Sequence, residues 1–560
     1  MLVYIQHTAI LGLAWALFAV SLLAAYIWGN DRRLVTIPES VQALGLEAVT
    51  PEDVKAEVLK VQGEASNGKR DEEKGESYER ELEEQLPPRT GRRYIVVGGG
   101  GFLGGWIVLH LLKRGEDPMS IRIVDLAPTP VNPLVREQVG EGRGVEYVRA
   151  DVTDERAIEE AFSAPWSDEE ARNSVQSGAH EGEKPTRPGL TIFHAAASVR
   201  FFERHPAFLP RSTSVNVDGT LNVLRAATSS RVNADVLVYT SSAAVGCRSH
   251  RALGWPWEGP PERLYQVINE GDGGWEDDKN VEEQKKREDY CSTYHQSKAI
   301  AETLVRSWDG RTVNLPDGRT MILRTGCIRP GNAIYGPYGA CWMDDCLERG
   351  STPAWQAHVV SSFVYVENAS LAHLLYEQRL LDAATVNRKG EWREEKEGLG
   401  CPVGRALPDI GGQTFCVTDP GPPVSFRDIH TIMGIFTNGT VRFTHISITF
   451  MVLLSHLFEA YSLLQHYVGR VFPLLGKHLP MLSGHLQFIQ PAMFNGNTCH
   501  FVVDDRKARR SPGEGGLGYK GVWTTKGGVV KTLVEYYSGV STGLERDGQS
   551  TISRSRVLRL

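Results

Sequence analysis

The sequence lacks any regular spacing of cysteines. Its eight cysteines are scattered over 560 residues and form neither a CxxC pair nor an even ladder of spacings. The pattern argues against the disulfide scaffold of a small secreted domain, and it predicts free, buried thiols on the reducing side of a membrane. Because the cysteines also lack a metal-ligand spacing, we expect no bound metal ion.

A strong net charge is also lacking. The formal charge is -7 and the isoelectric point is near 6.2, so nucleic acid is not expected as a partner. Hydrophobic residues make up 41% of the chain and charged residues 23%. These proportions are typical of a globular protein with a substantial buried core.

Charged residues are absent from one long run, Thr8 to Trp28. As a helix this run spans about 30 Å, the thickness of one hydrocarbon core. No Lys or Arg precedes it, which argues against a cleavable signal peptide, and Arg32 and Arg33 follow it. The sequence predicts a single-pass anchor with the body of the protein in the cytosol. A signal peptide and a buried helix are the alternatives.

Composition divides the rest of the chain. The predicted units are an anchor (1–33), a polar tether (34–92), a nucleotide-binding domain (93–330) with solvated insertions near 166–188 and 255–289, a substrate-binding part (331–539) and a disordered tail (540–560). The tether is rich in Glu, Lys, Asp and Arg, so it cannot bury enough apolar surface to fold alone.

Short apolar runs alternate with helix-like segments from residue 93 onwards. The predicted strands are 94–97, 121–125, 145–148, 191–193, 236–239 and 321–324, and a helix is predicted over 104–113. This alternation predicts an α/β fold with a Rossmann-type, doubly wound parallel sheet, followed by a smaller C-terminal subdomain.

A second hydrophobic zone covers 446–475 and contains Glu459 and two histidines. These polar residues argue against a clean membrane span. We expect either a helix packed within the substrate-binding part or an interfacial helix that opens the site towards lipid.

A glycine-rich turn joins the first predicted strand to its helix. Gly98, Gly101 and Gly104 would allow a tight turn, close approach of the backbone to a pyrophosphate and close helix packing, with Phe102 and Leu103 opening the helix. Asp125 ends the next strand, where a carboxylate favours NAD over NADP. The alternative is a purely structural glycine turn.

A second motif supplies groups for proton transfer. Tyr294 and Lys298 stand four residues apart, so on a helix they share a face. A nearby ammonium would lower the pKa of the phenol and make it a usable base. Ser242 follows another strand and would lie at the same edge of the sheet. The alternatives are an exposed helix face and a serine-rich turn.

Together these residues resemble the extended short-chain dehydrogenases, and within them the 3β-hydroxysteroid dehydrogenase group. The later residues 412–419, 424–426, 505–508 and 517–519 are similar to sterol-4α-carboxylate 3-dehydrogenases. The resemblance covers roughly 93–539, and its further elements are Asp151, Val152, Ala195, Ala196, Asn216, 239–242, 329–337, 363–368 and 372–373.

The resemblance implies a role for each of these residues. Tyr294 would be the base, Lys298 its electrostatic and ribose-binding partner, and Ser242 the hydroxyl that orients the substrate oxygen. The cofactor would be NAD, held by the glycine turn, Asp125, Tyr294 and Lys298. Five further residues would line the same site: Asp151, Val152, Ala195, Ala196 and Asn216.

The resemblance further implies a substrate and a location. The substrate would be a sterol or similar lipid-like alcohol, oxidised at the endoplasmic reticulum membrane, and a homodimer is an open prediction. Three departures from the family pattern stand out. Val97 replaces the usual Thr, Ser242 and Tyr294 lie further apart than usual, and the N-terminal anchor and tether lie outside the family core. The alternatives are a steroid dehydrogenase/isomerase, a ketoreductase of secondary metabolism, a nucleotide-sugar epimerase and a non-catalytic NAD-binding scaffold.

Overall fold

A computed structural model describes residues 2–66, 78–140, 144–166, 188–255, 257–273, 290–314, 320–339, 341–389 and 407–538. The predicted tail (540–560) and most of the two predicted insertions lie outside these ranges.

A central sheet of eight strands organises the chain, in the order β13-β8-β5-β4-β1-β2-β3, with β7 antiparallel to β8. All other pairings in it are parallel, which confirms the predicted fold class. Its strands are β1 (Arg93–Val97), β2 (Ile121–Asp125), β3 (Glu146–Arg149), β4 (Leu190–His194), β5 (Val236–Thr240), β7 (Arg311–Asn314), β8 (Thr320–Pro330) and β13 (Thr414–Val417).

Smaller sheets complete the strand inventory. The four-stranded sheet has the order β14-β11-β16-β6, and β10 pairs with β15 and β9 with β12. Their bounds are β6 (Tyr265–Ile268), β9 (Ile334–Tyr335), β10 (Ser351–Ala354), β11 (Val360–Ser361), β12 (Val364–Tyr365), β14 (Val424–Ser425), β15 (Arg442–His445) and β16 (His500–Val503).

Helices cover both faces of the central sheet and form much of the C-terminal part. They are α1 (Leu2–Leu34), α2 (Glu39–Gln42), α3 (Pro51–Ser66), α4 (Tyr78–Gln85), α5 (Phe102–Lys113), α6 (Pro133–Gln138), α7 (Glu155–Ser163), α8 (Leu209–Thr213), α9 (Gly219–Ala227), α10 (Thr293–Ser307), α11 (Cys341–Arg349), α12 (Val366–Lys389), α13 (Phe426–Phe436), α14 (Ile448–Val471), α15 (Pro473–Gly476), α16 (Pro491–Gly496), α17 (Arg506–Arg509) and α18 (Thr525–Ser538). A π-helical turn (Ser214–Asp218) joins α8 to α9.

Alternation along β1 shows how the layers form. Tyr94 and Val96 are fully buried against α5 and α12, whereas Ile95 and Val97 are fully buried against α7, α9 and α10. A strand covered on both faces reads as a continuous apolar run, as the sequence of β1 does. Burying each such side chain stabilises the fold by about 1.5–3 kcal/mol.

The strand order reverses between β1 and β4, because β2 and β3 extend the sheet on one side and β5, β8 and β13 on the other. At such a reversal the loops after the two strands part and leave a crevice at the carboxyl edge, which is where ligands bind in open α/β sheets. Gly98 follows β1 and Ala195 follows β4 at this crevice.

The segment predicted as a flexible or helical tether contains two helices in its described part. It contains α3 and α4, whose Val54 and Tyr78 are buried in the C-terminal core, and the ring of Tyr78 stacks on Trp523 with centroids 4.1 Å apart. The C-terminal helices α13 and α18 provide the apolar surface that this segment lacks by itself.

The described parts of the predicted insertions also differ from expectation. Trp166 is buried in the sheet core and lies under the guanidinium of Arg122, 4.2 Å from the ring centroid. Strand β6, inside the second insertion, pairs with β16. Both were predicted to be solvated because their polar neighbours dominate the local composition.

Two helices in the described residues are long and apolar enough to cross a membrane, Ile10–Leu34 within α1 and the whole of α14. The apolar window of α1 has no buried residue, whereas 28% of that of α14 is buried. The first half of helix α14 packs on the protein through Ile448 and Val452, whereas no residue of its second half is buried.

Candidate active site at the carboxyl edge of the sheet

The backbone of the glycine turn after β1 packs closely on the backbone of the loop after β4 and on the start of α5. Gly98 has a φ of +82°, and a Cβ added there would lie 2.5 Å from the amide nitrogen of Ala196. A Cβ on Gly104 would lie 2.1 Å from the carbonyl oxygen of Gly98. The turn thus needs glycine at both positions, and Gly104 packs on the turn itself.

The amide end of α5 opens this turn towards the crevice. Gly101 caps the helix without a side chain, while Leu103 is buried and Phe102 packs beside Gly339. Free amides at a helix N-terminus attract phosphate oxygens. The cradle has the shape and polarity that a dinucleotide pyrophosphate requires.

Asp125 lies at the tip of β2 beside the same turn. Its carboxylate accepts hydrogen bonds from the amides of Gly100 at 3.0 Å and Ala127 at 2.9 Å. The hydroxyl of Tyr147 donates to the carbonyl of Ala127, and burial raises the Tyr147 pKa to about 12. Sequence reasoning missed Tyr147, whose position on β3 next to Asp125 becomes evident only from the strand order.

The loop after β4 closes the other side of the crevice. The amides of Ala195 and Ala196 both donate to the carbonyl of Val97, at 2.8 and 3.0 Å. Nearby, Val152 is buried against Gly219, and Asp151 accepts hydrogen bonds from Thr153. Ala195 and Ala196 follow β4, and Asp151 and Val152 come shortly after β3. Their contact with the cofactor stays a prediction.

Asn216 joins two segments of the protein, and its predicted cofactor contact stays a prediction. It lies in the π-helical turn, where its amide nitrogen donates to the Ser198 carbonyl at 3.0 Å and to the Ser297 hydroxyl at 2.8 Å. Its side-chain oxygen accepts from the Ser198 amide at 2.7 Å. The side chain is 1% exposed, and both of its N–H donors are used to join the β4 loop to α10.

Helix α10 carries the two predicted catalytic residues and begins with Ser292 as its N-cap. Tyr294 lies half-buried and is hydrogen-bonded to Ser242. Burial raises the pKa of Tyr294 to about 12, and the hydrogen bond with Ser242 opposes that rise. The structure therefore brings Ser242 and Tyr294 together across the long separation in sequence.

Lys298 is buried one turn further along α10. Its Nζ donates to the Tyr239 hydroxyl at 3.1 Å and to the Thr240 carbonyl at 2.7 Å, and it lies 4.5 Å from the centre of the Tyr239 ring. Burial lowers the pKa of Lys298 to about 7. An ammonium has three N–H donors, so one remains for a ligand in the crevice.

The predicted lowering of the Tyr294 pKa is not found. The prediction placed the ammonium against the phenol of Tyr294, but both described acceptors of Lys298 lie at the end of β5. Burial then dominates at Tyr294 and raises its pKa. Residues four apart on a helix share a face, but their head groups turn to whichever partners that face meets.

A buried ion pair lies one helical turn beyond Lys298. Glu302 accepts hydrogen bonds from Arg329 at 2.7 and 2.9 Å and from the Ser241 hydroxyl at 2.5 Å. It follows Lys298 by one helical turn and connects α10 to the ends of β5 and β8. The spacing Tyr294, Lys298, Glu302 could have indicated it, because the three share one helix face.

The residues at the crevice fit a nicotinamide dinucleotide. The glycine cradle matches a pyrophosphate. The carboxylate of Asp125 matches the adenosine ribose, and the remaining N–H donor of Lys298 matches the nicotinamide ribose. In the described residues no three His, Cys, Asp or Glu side chains gather in a way that could hold a metal ion. The six cysteines whose side chains are described are all buried, as predicted.

Two family models match the chain. Residues 95–165 match the 3-beta hydroxysteroid dehydrogenase/isomerase family, and residues 190–369 match an NAD-binding family described as male sterility protein. The first match begins in β1 and covers the glycine turn. The second covers the β4 loop, Ser242, Tyr294 and Lys298.

Curated relatives are similar at modest identity. The chain is 24% identical over 484 residues to 3beta-hydroxysteroid-dehydrogenase/decarboxylase isoform 2 of Arabidopsis thaliana, covering 84% of this chain and 66% of the relative. It is 29% identical over 293 residues to a decarboxylating sterol-4-alpha-carboxylate 3-dehydrogenase of Schizosaccharomyces pombe, covering 52% and 65%. The chain thus spans just under two thirds of the length of these relatives.

Two solved structures are similar to this chain at low sequence identity. An epimerase of Methanothermobacter thermautotrophicus has a TM-score of 0.44 at 13% identity, covering 82% of this chain and 98% of that one. Thermus thermophilus UDP-glucose 4-epimerase, solved with NAD, has a TM-score of 0.34 at 20% identity, covering 63% and 85%. By its sequence matches, this chain is similar to NAD-binding extended short-chain dehydrogenases, and its N-terminal match is to the 3-beta hydroxysteroid dehydrogenase/isomerase family.

Proposed function

We propose that the protein oxidises the 3β-hydroxyl of a sterol or steroid with NAD. The observation that carries the proposal is the hydrogen bond between Ser242 and Tyr294, with Lys298 buried one turn further along the same helix. In this proposal, residues 93–330 bind the cofactor and 331–539 shape the sterol site. The names of the curated relatives support the substrate class.

Each of the three side chains has a distinct role in this reaction. Tyr294 takes the proton of the secondary alcohol onto its phenolate oxygen, and Ser242 donates a hydrogen bond to the substrate oxygen. When bound, NAD+ accepts the hydride that leaves the same carbon. Lys298 holds the nicotinamide ribose with its remaining N–H.

The state of Lys298 decides when Tyr294 can act. A phenol whose pKa is about 12 is a poor base near neutral pH. Lys298, with a pKa of about 7, is close to half protonated there, and its charged form favours the phenolate.

The finer proposal is a sterol with a 4α-carboxylate. Oxidation at C3 would turn such a substrate into a β-keto acid, whose C4–carboxylate bond breaks to release CO₂ and leave an enolate that takes a proton from water. No further protein group is required for that step. The decarboxylating relatives from Arabidopsis and fission yeast support this choice.

We also propose that α1 anchors the protein in the endoplasmic reticulum membrane with its body in the cytosol. The support is the apolar span Ile10–Leu34, whose most apolar window has no residue buried in the protein, together with Arg32 and Arg33 at its end. Alkaline carbonate extraction of membranes tests it. The full chain should stay in the membrane pellet, and its release would contradict a spanning anchor.

The function is tested by incubating membranes that carry the protein with NAD+ and a panel of 3β-hydroxysterols, with and without a 4α-carboxylate. We expect NADH to form, and Tyr294→Phe to lower the rate by about 10²–10⁴-fold. Tyr265→Phe, on β6, is the matched control and should keep its activity. NADH formation that persists in Tyr294→Phe would refute the assigned base, and turnover of UDP-sugars alone would refute the substrate class.

A further inference from the structure

The second half of α14 and the turn beyond it form a surface that is apolar and unburied. We call residues 460–489 the apolar hairpin; none of them is buried in the protein. Leu474 is 80% exposed and Met481 85%. Further large apolar side chains of this hairpin that are about half exposed or more are Leu464, Tyr467, Val471, Phe472, Leu475 and Leu486.

The apolar hairpin is a built structure. Gly476 packs so closely on α14 that a Cβ there would lie 2.6 Å from the Cα of Gly469, and the Tyr461 hydroxyl donates to the Pro480 carbonyl at 2.8 Å. The returning chain is held by Phe488, whose ring lies 5.0 Å from that of Phe202. Contiguous exposed apolar surface of this kind marks a contact with a membrane or a partner.

Its charge identifies the kind of partner. The sequence from 460 to 489 contains no Asp or Glu but includes Arg470 and Lys477, in a chain whose net charge is -7. An apolar surface bordered by cations is attracted to anionic lipid headgroups and buries its apolar side in the acyl boundary.

The start of α14 is fastened to the end of the proposed anchor. The side-chain amide of Asn30 donates to the Thr449 hydroxyl at 2.9 Å, and Asp31 accepts the Thr449 amide at 2.8 Å. The apolar helix α14 therefore begins where α1 leaves the membrane.

Aromatic side chains mark the same level of the molecule. Trp255 and Trp257 stack with ring centroids 5.0 Å apart, although they are 56% and 77% exposed. Tyr26 of α1 touches Trp255 edge-on, and the Arg32 guanidinium lies 4.9 Å from the ring centre of Trp28. Exposed Trp and Tyr rings beside a spanning helix are typical of the membrane–water interface.

We propose that the apolar hairpin is a second membrane contact, which lies in the headgroup region of the bilayer that α1 spans. Phe488 joins it to Phe201 and Phe202 in the loop after β4, the loop that also carries Ala195 and Ala196. The hairpin would then lead from the lipid to the active site. That second role rests on the proposed sterol substrate, whereas the membrane contact does not.

The test uses the full chain with Leu474→Cys, labelled with the environment-sensitive dye NBD and reconstituted into phosphatidylcholine/phosphatidylserine vesicles. We expect doxyl-labelled lipids to quench the dye at least about twofold more than in the matched variant Leu59→Cys on α3, which is 71% exposed. The unsubstituted chain, treated in the same way, corrects for labelling of native cysteines.

Three outcomes decide the matter. Weaker quenching at position 474 when Arg470→Gln and Lys477→Gln are both added supports the role of anionic lipid. Equal quenching at both labelled positions would refute the membrane contact. A blue shift of the NBD emission without quenching by the lipids would indicate that a second copy or another protein covers the hairpin. That result would also refute the membrane contact. Turnover is not measured, so these outcomes are separate from the fate of the proposed function.

Discussion

The catalytic centre and the apolar hairpin place their side chains in opposite ways. In the centre, charged groups are buried: Lys298, Glu302 and Arg329 are 2%, 3% and 1% exposed. In the hairpin, apolar groups such as Leu474 lie outside the protein. Buried charges are stable only with hydrogen-bonded partners inside the protein, whereas exposed apolar groups require a partner outside it. The two regions should therefore respond to substitution in opposite ways.

The largest expected effect on stability comes from the buried ion pair. Arg329→Met leaves the Glu302 carboxylate without its cation, and we expect a loss of about 3–5 kcal/mol in the free energy of unfolding. Chemical denaturation of the purified protein measures it. Glu302→Gln/Arg329→Met, which removes both charges, is the control and should recover part of that loss.

Gly104→Ala should be next in size. The new Cβ would overlap the Gly98 carbonyl, so the glycine turn must shift, at a cost of about 1–3 kcal/mol and with loss of NAD binding. Gly105→Ala is the matched control, because its nearest neighbour is a side-chain methyl of Val135 at 3.3 Å. Calorimetric titration with NAD compares them, and equal affinity in both variants would contradict the contact.

Lys298→Met should make the catalytic centre more stable although inactive. Burial holds the Lys298 pKa near 7 in the folded state, below its ordinary value of 10.5. Between these values the unfolded state binds more protons, so wild-type stability rises with pH. The stability gained by the Met variant should be greatest at pH 7 and below and fade towards pH 10.5. Thermal unfolding across this range checks the trend, and a gain that grows with pH would contradict it.

Tyr239→Phe should have a smaller effect. It removes one of two described acceptors of the Lys298 ammonium, worth about 1 kcal/mol, and keeps the ring. The Lys298 pKa should fall by less than about one unit, and the pH profile of kcat/KM should shift with it. If Tm changes but the pH profile of kcat/KM does not, Tyr239 contributes to packing and does not affect the Lys298 pKa.

The smallest effect should come from the apolar hairpin. Leu474→Ser in detergent solution should alter the free energy of unfolding by no more than about 0.5 kcal/mol, because Leu474 is 80% exposed. The buried Leu224 on α9, changed to Ala, provides the contrast and should cost about 2–5 kcal/mol. A large loss from Leu474→Ser would break the comparison between the two regions.

Much of the central sheet could be predicted from the sequence, because its strands are buried on both faces and read as apolar runs. The glycine turn was also recognisable, since steric demands at Gly98 and Gly104 leave one residue type. The pairing of Ser242 with Tyr294 followed from the rule that strand ends and their following helices share one edge.

Other features depend on contacts between distant segments. Tyr239 lies 59 residues from Lys298, and nothing in its own neighbourhood indicates that it accepts from an ammonium. Tyr78 likewise belongs to a polar segment and is buried only because Trp523 meets it from the C-terminal end. Local composition indicates whether a segment can fold alone, but not whether another segment will cover it.

The hydrogen bonds of the Asn216 side chain affect how the site unfolds locally. One amide clamps the β4 loop through Ser198 and helix α10 through Ser297. The dinucleotide side of the crevice and the proton-transfer side should therefore open together, as one cooperative unit, and their backbone amides should exchange hydrogen for deuterium with a single free energy. A ligand that orders either side would then slow exchange on both.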